Sequence, residues 1–319
     1  MRNSFIIIAL LLAGTAWGQE KAAKTRVAIY KDTGTTTKGP ANIEKSLQNQ
    51  PDFSYAYVKA EDIRGGVLAK YDVVVLPGGM ASSASKTLGE EGRKAIVDYV
   101  KGGGGYLGVC AGAYLATCRK AGDLALINAY SAGGGFGDGM TKIRLTEEGQ
   151  KMFATKDELV DVYYANGPLL EFAEDKNLPK FTPLALFETD LPKKTPPGLV
   201  KGKVAAACAP YGKGRVFCFS PHPERPESTG LQYYIRCALL WAAGKDPSAA
   251  AGKAARPSPP AGPDQKVTVG LETGLQRDIG EAKSPSADES KKDAPAAAKG
   301  ADGIVVPQTG KVGGVTAGP

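Results

Sequence analysis

With 319 residues, a net charge of +7, five cysteines and one histidine, the chain lacks the paired Cys/His spacing of a metal centre and the Lys/Arg blocks with interleaved aromatics of a nucleic-acid surface. Its charge is spread thinly: residues 245–319 hold ten basic and nine acidic side chains, so most of the excess sits on the part before them. This composition calls for no metal, no cofactor and no nucleic-acid partner.

Arg2, the apolar run FIIIALLLAG and the small residues Ala16 and Gly18 have the charge, apolar stretch and cleavage site of a secretory signal, assigned to residues 1–19. The run is about half of the ~20 residues that span a bilayer, and no later stretch is apolar enough. No stable membrane span is expected, and the mature protein is placed in the periplasm or outside the cell.

RVAIY at residues 26 to 30 predicts a strand, followed by a turn-rich loop and a helix over Asn42 to Asn49. Phe53 to Val58 reads as a second strand. YDVVVLPGG, at 71 to 79, is apolar on both faces of a strand, which places it inside a parallel sheet. Glu90 to Lys101 puts Ile96, Val97 and Val100 at helical spacing. YLGV then forms a short buried strand that runs into Cys110 and the helix AGAYLA.

Further strands are expected near 158–164, 183–188, 203–209 and 214–219, the last two joined as a hairpin, with a closing helix from Thr229 to Ala243. The alternation of buried strands and amphipathic helices argues for a doubly wound, mostly parallel α/β sheet of flavodoxin-like type, with its site beyond the carboxyl ends of the strands. The domain is assigned to residues 25–244. Residues 245–319, rich in Ala, Pro, Lys and Gly, bury too little to form a core and are expected to be a disordered tail. Its two apolar islands, KVTVGLE and GIVVPQ, are candidate docking segments for a partner.

Cys110 stands between small residues at a strand-to-helix junction. Gly108 and Gly112 leave room for a sharp turn there, and the helix N-terminus favours an ionised sulfur. Alone, the same cysteine reads equally well as a small buried residue. FSPHPERPE adds His222, the single histidine, with Glu224 two positions later. In an extended segment the two share a face, so the carboxylate orients the imidazole and leaves its other nitrogen for a thiol. Gly78 or Gly79, together with the Ala111 N–H, could supply an oxyanion hole, although LPGG is also an ordinary strand-ending turn. Asn166 and Gly167 in YYANGP are candidate pocket residues or simply a tight turn. The glycines of SAGGGFGDGM, at 131 to 140, are expected to form a mobile loop at the mouth of the site.

PGG, GVCAGA and HPE, in that order and at those spacings, resemble the class I glutamine amidotransferases and imply their fold. RVAIYKDTGTTTKGPANIEKSL, GGGYLGVCAGAYLAT, YYANGPLLEF and YGKGRVFCFSPHPE resemble more closely the N-terminal domain of biotin-protein ligases and its stand-alone bacterial relatives. The resemblance implies a Cys110–His222–Glu224 triad. It does not imply biotin ligation, because the biotinyl-adenylate loop GRGRxG is missing. One position departs from the amidotransferase pattern: Tyr114 stands where a glutamine usually holds the substrate.

Two functions are open on this reading. One is a cysteine-nucleophile amidohydrolase or amidotransferase-like enzyme. The other is a non-catalytic module that binds a small molecule or a protein in the same pocket. Of the other cysteines, Cys208 and Cys218 are expected to face each other across the hairpin, either bridged or as core residues, and Cys118 and Cys237 are expected on helices.

Overall fold

A computed structural model describes residues 23–134, 137–190 and 198–251. The signal peptide and both apolar islands of the tail lie outside the described residues. Five parallel strands form one half of the sheet. In spatial order they are β2 (Phe53–Val58), β1 (Thr25–Tyr30), β3 (Val73–Leu76), β4 (Gly105–Val109) and β11 (Gly214–Phe219). The sheet then continues antiparallel through β10 (Val204–Tyr211), β9 (Thr182–Phe187), β6 (Asp138–Leu145) and β7 (Leu159–Ala165). β5 (Ala129–Ser131) pairs with β8 (Leu170–Phe172), which also touches β10.

The all-apolar β3 explains itself: Val73 and Val75 enter one core, while Val74 and Leu76 enter the core on the opposite face. The first core is covered by α1 (Lys38–Leu47) and α6 (Gln232–Ala242), the second by α2 (Ala60–Arg64), α3 (Ala81–Lys101) and α4 (Ala111–Ala116). Helices on both faces of a mostly parallel sheet are the expected α/β architecture. The short α5 (Glu147–Met152) is capped by Thr146, whose hydroxyl accepts from the Gly149 N–H at 3.0 Å.

Several details differ from the sequence reading. α3 starts nine residues before Glu90 and breaks at Gly89, which has φ 68° and ψ −179°. Its first half, ASSASKTL, is rich in Ser and Thr, which are weak helix formers, and is held by burial of Ala84, Ser85 and Leu88. Asp138, Gly139 and Met140, read as loop, begin β6. The β10–β11 register pairs Cys208 with Phe217 and Ala207 with Cys218. A slip of one residue reverses the face of every side chain, so Cys208 lies in one core and Cys218 in the other, both as free thiols. Cys118 lies just beyond α4.

Packing also continues past Gly244. The Lys245 ammonium donates to the Ala23 carbonyl and the Thr25 hydroxyl, and Ala250, in α7 (Ser248–Ala251), is buried against the first core. Among the described residues, no helix is long and apolar enough to cross a membrane.

Candidate active site

β3, β4 and β11 are adjacent and parallel, so the segments leaving their carboxyl ends meet at one edge of the sheet. Gly78 follows β3, Cys110 follows β4 and His222 follows β11. Cys110 adopts φ 52° and ψ −101°, a strained backbone that costs about 1–3 kcal/mol for a non-glycine residue. Its N–H bonds the Phe219 carbonyl at 2.8 Å, tying the turn to β11. The helix after it passes so close to β3 that a Cβ on Gly112 would stand 2.0 Å from the Leu76 carbonyl oxygen.

His222 is 6% exposed, Glu224 2% and Cys110 5%. His222 Nδ1 lies 2.8 Å from Glu224 Oε1. A carboxylate can only accept, so Nδ1 carries the proton and Nε2 is left for another partner. The pairing arises from a turn rather than the expected extended segment: the Arg225 N–H closes on the His222 carbonyl at 3.2 Å, with Pro223 at the second position. Nε2 is buried and completes no hydrogen bond among the described residues. The Cys110 thiol instead donates to the Ala165 carbonyl at 3.3 Å.

Gly78 lies between the two side chains: a Cβ there would be 2.7 Å from His222 Cε1 and 3.7 Å from Cys110 Cβ. Gly79 is held by a bridge to Thr35. The Ala111 N–H opens α4 and is one of that helix's unpaired first donors. Tyr114, one turn on, donates to the Asn166 carbonyl at 3.1 Å, and burial pushes its phenol up to about 12. Asn166, at φ 57°, exchanges hydrogen bonds with the Gly137 backbone, so this flank of the glycine-rich stretch is tied beside the site. Residues 135 and 136 lie outside the described residues. Gly167 packs against Ser220 and accepts from the Tyr164 hydroxyl at 2.7 Å.

The structure thus brings all nine sequence-derived site residues to one region. Sequence reasoning missed Ser228 and the Ala165 carbonyl. The Ser228 hydroxyl donates to the His222 carbonyl at 2.7 Å and accepts from the Tyr163 N–H at 2.9 Å, fixing the histidine turn onto β7. No spacing signal marks such a bridge, because its partners come from a distant strand.

Burial by itself would lower the His222 pKa. The Glu224 charge, the hydrogen bond to Glu224 and the nearby Cys110 sulfur outweigh it and raise the value from 6.5 to about 10. A raised basic group contributes stability that is full below its unfolded pKa and is lost as pH rises through the folded one. Urea unfolding is therefore expected to show the wild type losing stability relative to His222→Gln between pH 6.5 and about pH 10. A constant difference between the two proteins over that window would show that the imidazole is not held as a cation.

Residues 25–122 match the family described as biotin-protein ligase, N terminal. No curated protein matches the chain. Among solved structures, PurLQS from Thermotoga maritima is similar at 16% identity and TM-score 0.50, covering 69% of this chain and 97% of that one. A ThuA-like protein from Parabacteroides merdae is similar at 15% identity and TM-score 0.50, covering 70% of this chain and 91% of that one. A glutamine amidotransferase from Thermotoga maritima is similar at 17% identity and TM-score 0.42, covering 73% and 90%. The fold is that of the glutamine amidotransferase-like α/β proteins.

Proposed function

From that fold and the match of its N-terminal part to the biotin-protein ligase N-terminal family, we propose that the chain is a cysteine-nucleophile amidohydrolase or acyl transferase acting outside the cytoplasm. The observation that carries this reading is a strained Cys110 beside a buried histidine whose Nδ1 is fixed by Glu224 and whose Nε2 has no partner among the described residues. In the reaction, the thiol proton already rests on the His222 imidazolium, and the Sγ thiolate bonds to the acyl carbon while the carbonyl π pair moves onto oxygen. The N–H groups of Gly78 or Gly79 and of Ala111 are the candidates to receive that oxyanion. Collapse expels the amine, which takes its proton from His222. Water, deprotonated by the same imidazole, then releases the acyl group from sulfur.

Tyr114 stands where a glutamine side chain holds the substrate in the amidotransferases that the sequence resembles, and on this reading glutamine is not the substrate. The purified chain should release no ammonia from glutamine. A panel of other amides and thioesters should yield one whose turnover falls at least ~1,000-fold in Cys110→Ser, in line with the loss of a nucleophile, and whose acyl adduct is found on Cys110 by mass spectrometry. Glutaminase activity at an ordinary enzymatic rate would refute the role given to Tyr114.

One observation favours the second reading, a binding module. The thiol is committed to the Ala165 carbonyl and is nearly covered. On that reading no acyl donor is turned over, and Cys110→Ser leaves ligand binding unchanged.

A further inference from the structure

α3 leaves the Gly78–Gly79 loop and α4 leaves Cys110, and between them the turn at 117–123 closes a cavity of about 330 Å³. The chemistry above does not use it. Its wall carries Lys86 and Arg93 from α3 and Lys120 from the turn, against one acid, Asp123. That acid is engaged by neutral donors, the Thr117 hydroxyl at 2.7 Å and the Lys120 N–H at 3.0 Å. Among the described residues, no carboxylate forms an ion pair with Lys86, Arg93 or Lys120.

The site is also built. Arg93 is anchored through one nitrogen to the Ser85 carbonyl at 2.9 Å, which leaves its other donors uncommitted. The Ser85 hydroxyl bonds the Gly122 carbonyl at 2.8 Å and so fixes the turn to the helix. Lys86 and Lys120 are exposed and Arg93 is half-buried, so the concavity presents a cationic wall that attracts an anion. Tyr114, one turn after Cys110, lines the same cavity, while its hydroxyl reaches the Asn166 side of the site. It therefore borders both the cavity and the Cys110 site.

We propose that this cavity binds a carboxylate or phosphate group and, resting on the reading of Cys110 as a nucleophile, that the group belongs to the substrate whose acyl carbon meets the sulfur. The substrate is then an anionic amide or acyl compound, oriented by Lys86, Arg93 and Lys120. Charged pockets of this volume take a small acid or one end of a larger molecule.

The binding arm of the test uses Cys110→Ser, so that it does not depend on any chemistry at sulfur. Inorganic phosphate and glutarate are titrated separately at constant ionic strength, with amide chemical shifts of Ser85, Lys120 and Gly122 as the readout. At least one of the two should saturate, and the better binder identifies the phosphate or the carboxylate source. Adding Lys86→Gln and Lys120→Gln should weaken it at least ~10-fold, as loss of two direct charge contacts implies, with the melting temperature retained. Failure of both anions to saturate, or binding that survives the two substitutions, overturns the site.

The linking arm uses the wild type. The bound anion should slow iodoacetamide at Cys110 with the same half-saturation as the shift titration. Binding without protection of a reactive Cys110 keeps the anion site and overturns its assignment to the substrate. A Cys110 that does not react at all refutes the nucleophile reading and leaves the binding arm to decide the site.

Discussion

Iodoacetamide at pH 6 is expected to modify Cys110 at least ~100-fold faster than any other cysteine of the folded chain. Burial pushes the Cys208 and Cys237 thiols up to about 12 and Cys218 further still, and Cys118, which is half-buried, is also raised. A thiol at 12 has only about one molecule in a million ionised at pH 6, and the three fully packed ones also require local opening before reagent can enter. Cys110 instead has His222 beside it, held as a cation by Glu224, and thiolate reactivity depends on such a neighbouring charge. His222→Gln should slow the labelling ~10- to 100-fold. Glu224→Gln should slow it less, because the carboxylate acts on sulfur only through the imidazole. Peptide mass spectrometry against pH reads all of this. Labelling of Cys110 no faster than Cys118, or a pH profile indifferent to His222→Gln, would mean that the sulfur stays with the Ala165 carbonyl, and the binding-module reading would stand.

Gly78→Ala is expected to slow that labelling as much as His222→Gln does, ~10- to 100-fold, while the protein remains folded. A Cβ would sit 2.7 Å from the imidazole Cε1, well inside contact distance, and the ring cannot step aside without giving up its 2.8 Å bond to Glu224. The added methyl displaces one side chain at the sheet edge and overpacks no β-strand, so the loss of stability should stay within about 1–3 kcal/mol. Circular dichroism and urea unfolding check the fold, and the alkylation rate checks the site. Wild-type reactivity in Gly78→Ala would show that the imidazole does not need its observed position.

The antiparallel half of the fold was less legible than the parallel half. Phe53–Val58 and Gly214–Phe219 match the expected strands residue for residue, because apolar runs bounded by turn residues carry their own ends. β6 was hidden because Gly139 interrupts the pattern and because its pairing with β7 and β9, rather than its own propensity, holds it. The hairpin register could not be placed by centring on Lys213. The actual turn is one half-step away, and that half-step separates Cys208 from Cys218 across the sheet.

The sequence by itself determined the α/β alternation, the parallel central strands and the identity of Cys110, His222 and Glu224, since each rests on local spacing: buried runs, glycines around a turn, a histidine two residues from a carboxylate. The tertiary structure alone decided that these groups meet. Three strands far apart in the chain had to lie parallel and adjacent before their carboxyl ends could share an edge. It also decided what competes for the thiol and what steadies the histidine, because the Ala165 carbonyl and the Ser228 hydroxyl arrive from other segments. Backbone groups carry no side-chain signature, and a contact between distant segments leaves no periodicity to read.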